Sequence, residues 1–136
     1  MTDRDPRLLA LRPDVSADPD RATSALEAFV HRTLRPVLKL QNDTLLAVVA
    51  HDAAKRVPGL AGFAPEDRER RLVQMLQKDS RLKRVLLGVV FGVLTADELA
   101  FALAHEAEVR RRTVALLVER VRSQSDAMGR LVEDQP

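Results

Sequence analysis

The stretch VLLGVVFGVLTADE, residues 85–98, decides the fold. Its apolar part contains two glycines, Gly88 and Gly92, and each costs a helix roughly 1 kcal/mol relative to alanine. Close contact with another helix, from this chain or from a second copy, would offset that cost. Thr95 and Glu98 have the spacing of a capping box, which starts a new helix. The stretch therefore predicts a helical hairpin with Gly88 and Gly92 as helix-contact residues.

The composition is typical of a helical domain with an aliphatic core. The chain has 136 residues, of which 46% are hydrophobic, 31% charged and only 3% aromatic. It contains no cysteine, which excludes disulfides, zinc-thiolate sites and thiol catalysis. The longest apolar run, residues 85–94, is about half the length that crosses a bilayer, so we expect no membrane partner. The opening MTDRDPRLLALRPD lacks the apolar segment of a secretory signal, and we expect a cytoplasmic protein.

Proline content and apolar periodicity divide the chain into three parts. Residues 1–22 hold three prolines and show little periodicity, which predicts a flexible N-terminal arm. Residues 23–126 show helical periodicity and are expected to form a single helical domain. Residues 127–136 are interpreted as a polar C-terminal tail. The predicted fold class is all-α, a bundle of about four or five helices.

Capping residues and prolines indicate where the helices begin. Ser24 with Glu27 opens the first helix, and Pro36 predicts a kink or short break inside it. Pro65 is placed at the first position of the next helix, where a missing N–H does no harm. Asp79 or Ser80 caps the glycine-bearing helix. These signals predict helices over residues 24–57, 65–77, 80–94 and 95–125.

Polar residues interrupt two of the predicted apolar stripes. Glu106 and Arg110 fall within the stripe of the last helix, which begins with Leu99 and Leu103, and their spacing predicts a partly buried ion pair. Gln41 interrupts the first stripe. A buried amide needs a partner, so we expect Gln41 to bond a neighbouring helix or a carbonyl freed by the proline kink.

No arrangement in the sequence indicates catalysis, a metal or a cofactor. The three histidines, His31, His51 and His105, do not form the HExxH or paired ExxH patterns of metal sites. The serines lie at predicted caps and tails, away from any strand-to-helix elbow. We therefore assign no catalytic residue, no metal ligand and no cofactor, and leave enzymatic activity as the weaker interpretation.

Basic residues are concentrated on either side of the second predicted interhelical turn, in residues 68–84. The formal net charge of the whole chain is only +2, which is unlike dedicated nucleic-acid binders. The cluster is interpreted mainly as a solvated helix surface, with a nucleic-acid contact as the alternative. Its members are Arg68, Arg70, Arg71, Lys78, Arg81, Lys83 and Arg84.

Three blocks resemble a family of short bacterial proteins. They are TLRPVLKLQND at 33–43, LQKDSRLKRVLLGVVFGVLTADEL at 76–99 and RRRTVALLVERVRSQ at 110–124. The patterns LRPxLKLQND and GxxxGxxTxxE carry the resemblance. It implies an all-helical protein from a family without a settled function, whose members automatic labels sometimes name "glyoxalase".

The glyoxalase label does not suit this sequence. A true glyoxalase has βαβββ modules whose strands present histidine and glutamate to a metal, and neither the strands nor the ligand spacing is found here. The chain also departs from the family pattern at Ala102, His105 and Thr113. The resemblance implies that a binding site, if present, uses the family's polar motif positions. These are Arg35, Gln41, Asn42, Asp43, Lys78, Asp79, Arg112, Glu119 and Arg120.

Three functional hypotheses follow from the sequence. The leading one is a non-enzymatic helical protein that contacts another protein or itself, as a homodimer for example, through the glycine-bearing and last helices. The alternative is a nucleic-acid-associated protein that uses residues 68–84. The third is an enzyme or small-ligand carrier with a concave polar pocket formed by Gln41, Asp43 and Arg112.

Overall fold

A computed structural model describes residues 3–15 and 24–136, and every regular element in these ranges is helical. The all-α prediction is confirmed. The predicted number of four or five helices is too low, because the described residues form eight helices when the three consecutive helical segments of residues 25–40 are treated as one helix. The helices are α1 (Arg4–Leu11), α2 (25–40), α3 (Asn42–Arg56), α4 (Pro65–Lys78), α5 (Ser80–Phe91), α6 (Ala96–Ala104), α7 (Glu106–Ser123) and α8 (Ser125–Glu133), with a 3-10 turn at Leu60–Gly62.

The helix starts agree closely with the capping signals. Thr95 and Glu98 form the complete capping box at the start of α6. Asp79 caps α5, since its Oδ1 accepts a hydrogen bond from the Leu82 amide at 3.0 Å. Pro65 occupies the first position of α4. Local sequence therefore determines where these helices begin.

The proline in α2 is accommodated without a break in the helix. The segment Val30–Leu34 is π-helical, and it lies between the α-helical segments Ala25–Phe29 and Arg35–Leu40. The Arg35 amide donates to the Val30 carbonyl, five residues earlier. Because Pro36 has no N–H, the regular ladder fails here, and the wider turn takes up the mismatch.

The last two expected segments differ from the structure. The single helix predicted over residues 95–125 is interrupted at His105 and Gln124, whose ψ angles of 40° and 28° are not helical. The predicted polar tail is also wrong, because most of it belongs to α8. This helix buries Met128, Gly129 and Val132 along one face, and that apolar spacing stabilises it.

The N-terminal arm is helical over α1 and is anchored to the chain. Arg4 donates to the carbonyls of Gly92 and Leu94 at 3.1 and 3.0 Å, and Asp5 accepts from the Ala96 amide. The positively charged Arg4 side chain thus binds carbonyls just beyond the C-terminal end of α5, and the negatively charged Asp5 side chain binds the N-terminal end of α6. Helix dipoles favour both arrangements. Residues 4–11 of the predicted flexible arm thus form a regular helix, while residues 1–2 and 16–22 of that arm lie outside the described residues.

The chain forms two compact units. The first comprises Met1–Asn42 and Leu87–Thr113, within the limits of the described residues, and its buried side chains include Val30, Leu34, Val37, Val90 and Leu94. The second comprises Asp43–Leu86 and Val114–Pro136, with a core that includes Leu45, Leu72, Leu86, Leu117 and Met128. No helix in the described ranges is both long and apolar enough to cross a membrane.

Candidate functional site

Helix α6 is held in the first unit by a buried charge cluster at its start. The Arg12 guanidinium binds the Glu98 carboxylate with both terminal nitrogens, at 2.5 and 2.6 Å. The Thr33 hydroxyl donates to the same carboxylate at 3.2 Å. Only 8% of the Arg12 side chain and 17% of the Glu98 side chain are exposed. Glu98 therefore closes the capping box of α6 and also fastens that helix to α2 and to the segment after α1.

The environment of Glu98 keeps it ionised. Burial raises the pKa of its carboxyl, but the hydrogen bonds from Arg12 and from the Thr95 amide outweigh burial and lower the pKa to about 2. A carboxylate with this many donors is strongly favoured over the protonated acid. The start of α6 is consequently fixed at neutral pH.

Aromatic stacking fixes the far end of α6. The ring of Phe101 stacks on Phe29 of α2, with centroids 4.7 Å apart, and on His105 at 4.3 Å. The Nδ1 atom of His105 lies 3.1 Å from the Phe101 carbonyl oxygen. Both ends of this short helix are thus attached to the first unit.

The opposite side of α6 is apolar and exposed. Leu103 is 60% exposed and Leu99 is 37% exposed, and Ala96, Ala100 and Ala104 are exposed as well, whereas Ala102 is buried. We call this surface the α6 outer face, and it comprises Ala96, Leu99, Ala100, Leu103 and Ala104. A continuous apolar stripe on a rigid helix, open to solvent, is typical of an interaction surface.

The sequence did not reveal this face, because a single continuous helix was predicted over residues 95–125, which α6 and α7 occupy as two helices. The expected stripe placed Leu99 and Leu103 in line with buried residues of α7, but the bend at His105 separates the two helices. Glu106 and Arg110 are both exposed, so the predicted partial burial of this pair is wrong. One signal was present in the sequence, since ADELAFALA has no polar face along its second half.

Gly88 of α5 and Gly92, which follows the last residue of α5, do not mediate a helix contact within the described residues. Both are exposed, and a methyl group built on Gly88 would meet no atom within 4 Å. The same group on Gly92 would lie 2.9 Å from the carbonyl oxygen of Gly88, in the last turn of α5. Residues 3–15 and 24–136 thus contain no helix contact at Gly88 or Gly92, and a contact with a second copy remains a prediction.

Two of the predicted site residues in the first unit, Gln41 and Arg112, make contacts within that unit. Gln41 donates to the Val89 carbonyl at 3.1 Å, which confirms its expected bond to a neighbouring helix. Arg112 pairs with Glu27 at 2.5 Å, and this hydrogen bond lowers the pKa of the Glu27 carboxyl. Arg35 is exposed, and Asn42 has an interaction partner.

The motif residues of the second unit are divided between clefts and ion pairs. Asp43 lines a cleft of about 610 Å³ between α3 and α5, which we call the α3–α5 cleft. Lys78 and Asp79 line a second cleft of about 450 Å³. The Leu82 amide lowers the pKa of Asp79, which also binds Arg56 at 2.5 Å.

The last two motif residues also have partners within the chain. Glu119 binds Arg122 at 2.5 Å, and Arg120 has an interaction partner as well. Neither lines the α3–α5 cleft or the second cleft.

Much of the basic cluster in residues 68–84 is engaged in contacts within the chain. Arg68 is buried and pairs with Asp126, while the Arg71 guanidinium lies 4.2 Å from the centre of the Phe63 ring. Arg70 pairs with the carboxylate three residues earlier at 2.5 Å. The cluster consequently offers fewer cations to a phosphate backbone than its sequence indicates.

Comparison with known proteins gives no assignment: no protein-family model, curated protein or solved structure matches the chain. Among residues 3–15 and 24–136, no group of three or more histidine or acidic side chains is arranged to hold a metal ion. The functional argument therefore depends on the surface features of the chain itself.

Proposed function

We propose that the protein is non-enzymatic and acts by contacting another protein chain through the α6 outer face. The observation that carries this proposal is the exposure of Leu103 and Leu99 on a helix whose other side is fixed by Arg12 and Phe29. A rigid apolar helix loses little conformational entropy on binding, so burial of its leucines contributes directly to affinity. We place this contact in the cytoplasm, as the sequence predicts.

The distribution of exposed apolar residues supports the same surface. Five large apolar side chains of the described residues are exposed, and four belong to the first unit. They are Leu9 and Leu11 on α1 and Leu99 and Leu103 on α6. Fully burying one leucine side chain contributes roughly 1.5–3 kcal/mol. Burial of Leu103 and of the exposed part of Leu99 would supply part of the free energy of such a contact.

Charged residues border the α6 outer face. Asp97 lies between Ala96 and Leu99 in the sequence, and Glu106, Glu108 and Arg110 follow the face, all of them exposed. An apolar centre with a charged rim is the usual anatomy of a protein interface. This arrangement favours a protein partner over a lipid surface or a nucleic-acid backbone.

The test is capture from native lysate with tagged wild-type protein and a Leu103→Glu variant, with and without nuclease. We expect wild type to retain a protein band that survives nuclease and that Leu103→Glu loses. The control is Ala115→Glu, which adds the same charge at an exposed position of α7 and should retain the band. A band kept by all three proteins, or no band at all, would contradict the proposal.

Self-association is one form of the proposed contact, and sedimentation distinguishes it. If the partner is a second copy, wild type will sediment as a dimer at micromolar concentration and Leu103→Glu as a monomer. Monomers in both cases, together with the captured band, would identify a different protein as the partner.

Nucleic-acid association through residues 68–84 remains the alternative, and less supports it. Arg68 and Arg71 are occupied within the chain, and the Lys83 ammonium donates to the Gln77 carbonyl at 2.9 Å. Retained material that disappears with nuclease in the capture experiment would move this alternative to first place.

A further inference from the structure

The α3–α5 cleft has the size and lining of a small-molecule site. Its volume of about 610 Å³ is within the range of ligand pockets, roughly 300–1,000 Å³. Its middle is apolar, formed by Ala47 and Val48 of α3 and by Leu82 and Val85 of α5. Val85 is 45% exposed, the only large apolar side chain of the second unit's described residues left so open.

The charges of the cleft are unequal at its two ends. The ion pair of Arg56 with Asp79 brings the end of α3 to the start of α5, so the two helices run antiparallel. Asp52 and Arg81 therefore lie at the same end of the cleft, where their charges offset each other. Asp43 lies at the other end, where no cation is among the lining residues.

We propose that the α3–α5 cleft binds a small organic cation with an apolar body, such as an alkylammonium compound. The ammonium group sits at Asp43, and the alkyl body lies along Ala47, Val48 and Val85. From Asp43 to His51 the helix rises about 12 Å, at 1.5 Å per residue, which suits an extended octyl chain. The apolar middle supplies affinity, and the single unbalanced carboxylate selects the charge.

An anionic ligand of the same shape fits the cleft less well. A carboxylate placed at Arg81 would lie at the same end as Asp52, and like charges so arranged cost free energy. A carboxylate at the other end would face Asp43 directly. A cationic and an anionic ligand with the same alkyl body would make the same contacts with the apolar middle of the cleft. The charge of the ligand therefore determines which of the two binds more tightly.

The test compares n-octylammonium, n-octanol and n-octanoate, each below its micelle concentration, in titrations followed by amide shifts in ¹⁵N NMR spectra. We expect saturable shifts confined to residues 43–52 and 81–85. The dissociation constant for n-octylammonium should be at least about fivefold lower than that for n-octanol, and n-octanoate should bind most weakly. Added sodium chloride should weaken only the n-octylammonium interaction.

Two variants make the charge argument specific. Asp43→Asn should raise the n-octylammonium dissociation constant about threefold to tenfold and leave that of n-octanol unchanged. Glu133→Gln removes an equivalent exposed charge from α8 and should change neither value. Equal binding of n-octanoate and n-octylammonium, an Asp43→Asn variant that binds as wild type does, or shifts outside the cleft would each overturn the proposal. This inference is independent of the α6 outer face, since it concerns residues of the second unit alone.

Discussion

At the scale of single residues, the pair formed by Arg12 and Glu98 is the interaction whose loss should matter most. Arg12→Met would leave the Glu98 carboxylate without its bidentate partner, in a largely buried position. Removing one member of such a pair costs about 3 kcal/mol. We expect that loss in the free energy of unfolding, measured by urea titration.

The matched control is Arg7→Met. Arg7 pairs with Asp3 at 2.9 Å, but both side chains are more than two-thirds exposed, at 79% and 71%. An exposed pair contributes well under 1 kcal/mol, so this variant should be nearly as stable as wild type. Equal losses for the two variants would show that Arg12 does not anchor α6.

The ionisation of Glu98 also predicts how stability depends on pH. Hydrogen bonding outweighs burial and holds the pKa of the folded protein near 2, below the usual 4.5, so the contribution is complete above about pH 4.5. It is lost as the pH falls from 4.5 towards 2. Because solvent screens the partly exposed group, we expect a loss of about 1 to 2 kcal/mol. Urea titrations at pH 2.5 and 6 should show this loss in wild type and a smaller one in Glu98→Gln.

Local sequence was sufficient to predict some of these residue contacts. The Thr95 and Glu98 cap follows from their spacing of three residues, and the need of Gln41 for a partner follows from its position on an apolar stripe. Arg12 could not be found in this way, because it is 86 residues from Glu98 in the chain. A long-range ion pair leaves no periodic pattern in the sequence.

At the scale of elements, α5 and the turn that follows it give opposite predictions for Gly88 and Gly92. Gly88→Ala places a methyl group in open space within a helix and should stabilise the protein by about 0.5 to 1 kcal/mol. Gly92→Ala places the methyl group 2.9 Å from the Gly88 carbonyl oxygen and should destabilise it. Thermal unfolding of the two variants measures both effects. A destabilised Gly88→Ala variant would indicate a contact on that face that the described residues do not contain.

The errors at this scale have a common physical origin. The starts of α2, α4, α5 and α6 were predicted, since caps and prolines act through neighbouring backbone groups, whereas the starts of α1, α3, α7 and α8 were not. Helix ends at His105 and Gln124 were missed, because neither residue is a glycine or proline and packing determines where the chain bends. Residues 127–136 are polar on average, which is why they were predicted to be a tail. Met128, Gly129 and Val132 nevertheless lie on one face of α8, and burial of that face stabilises the helix.

At the scale of the whole molecule, the charges of the basic segment predict weak binding to nucleic acid. The net charge is only +2, and Arg68, Arg70 and Arg71 have partners within the chain. We expect duplex DNA to bind more weakly than about 10⁻⁴ M at physiological salt. Fluorescence anisotropy over a range of salt concentrations measures this. Tighter binding that weakens steeply with salt would favour the nucleic-acid alternative.

The sequence predicted the class of the whole fold and not its surface. Composition and periodicity were enough for an all-helical chain, since both depend on sums over many residues. The α6 outer face and the α3–α5 cleft depend on which sides of helices remain uncovered, and that is decided by the packing of distant segments. Hence Asp79, Arg112 and Glu119 turned out to be partners in caps or ion pairs, while Leu103 was not singled out.

The most direct test of the α6 outer face is site-specific photo-cross-linking in the native cell. A photoreactive phenylalanine analogue replaces Leu103 in one protein and the exposed Glu133 of α8, in the second unit, in another. If α6 contacts a protein, irradiation should produce a discrete adduct of defined mass from position 103 and little or none from position 133. No adduct from position 103, or the same adducts from both positions, would contradict the proposed contact.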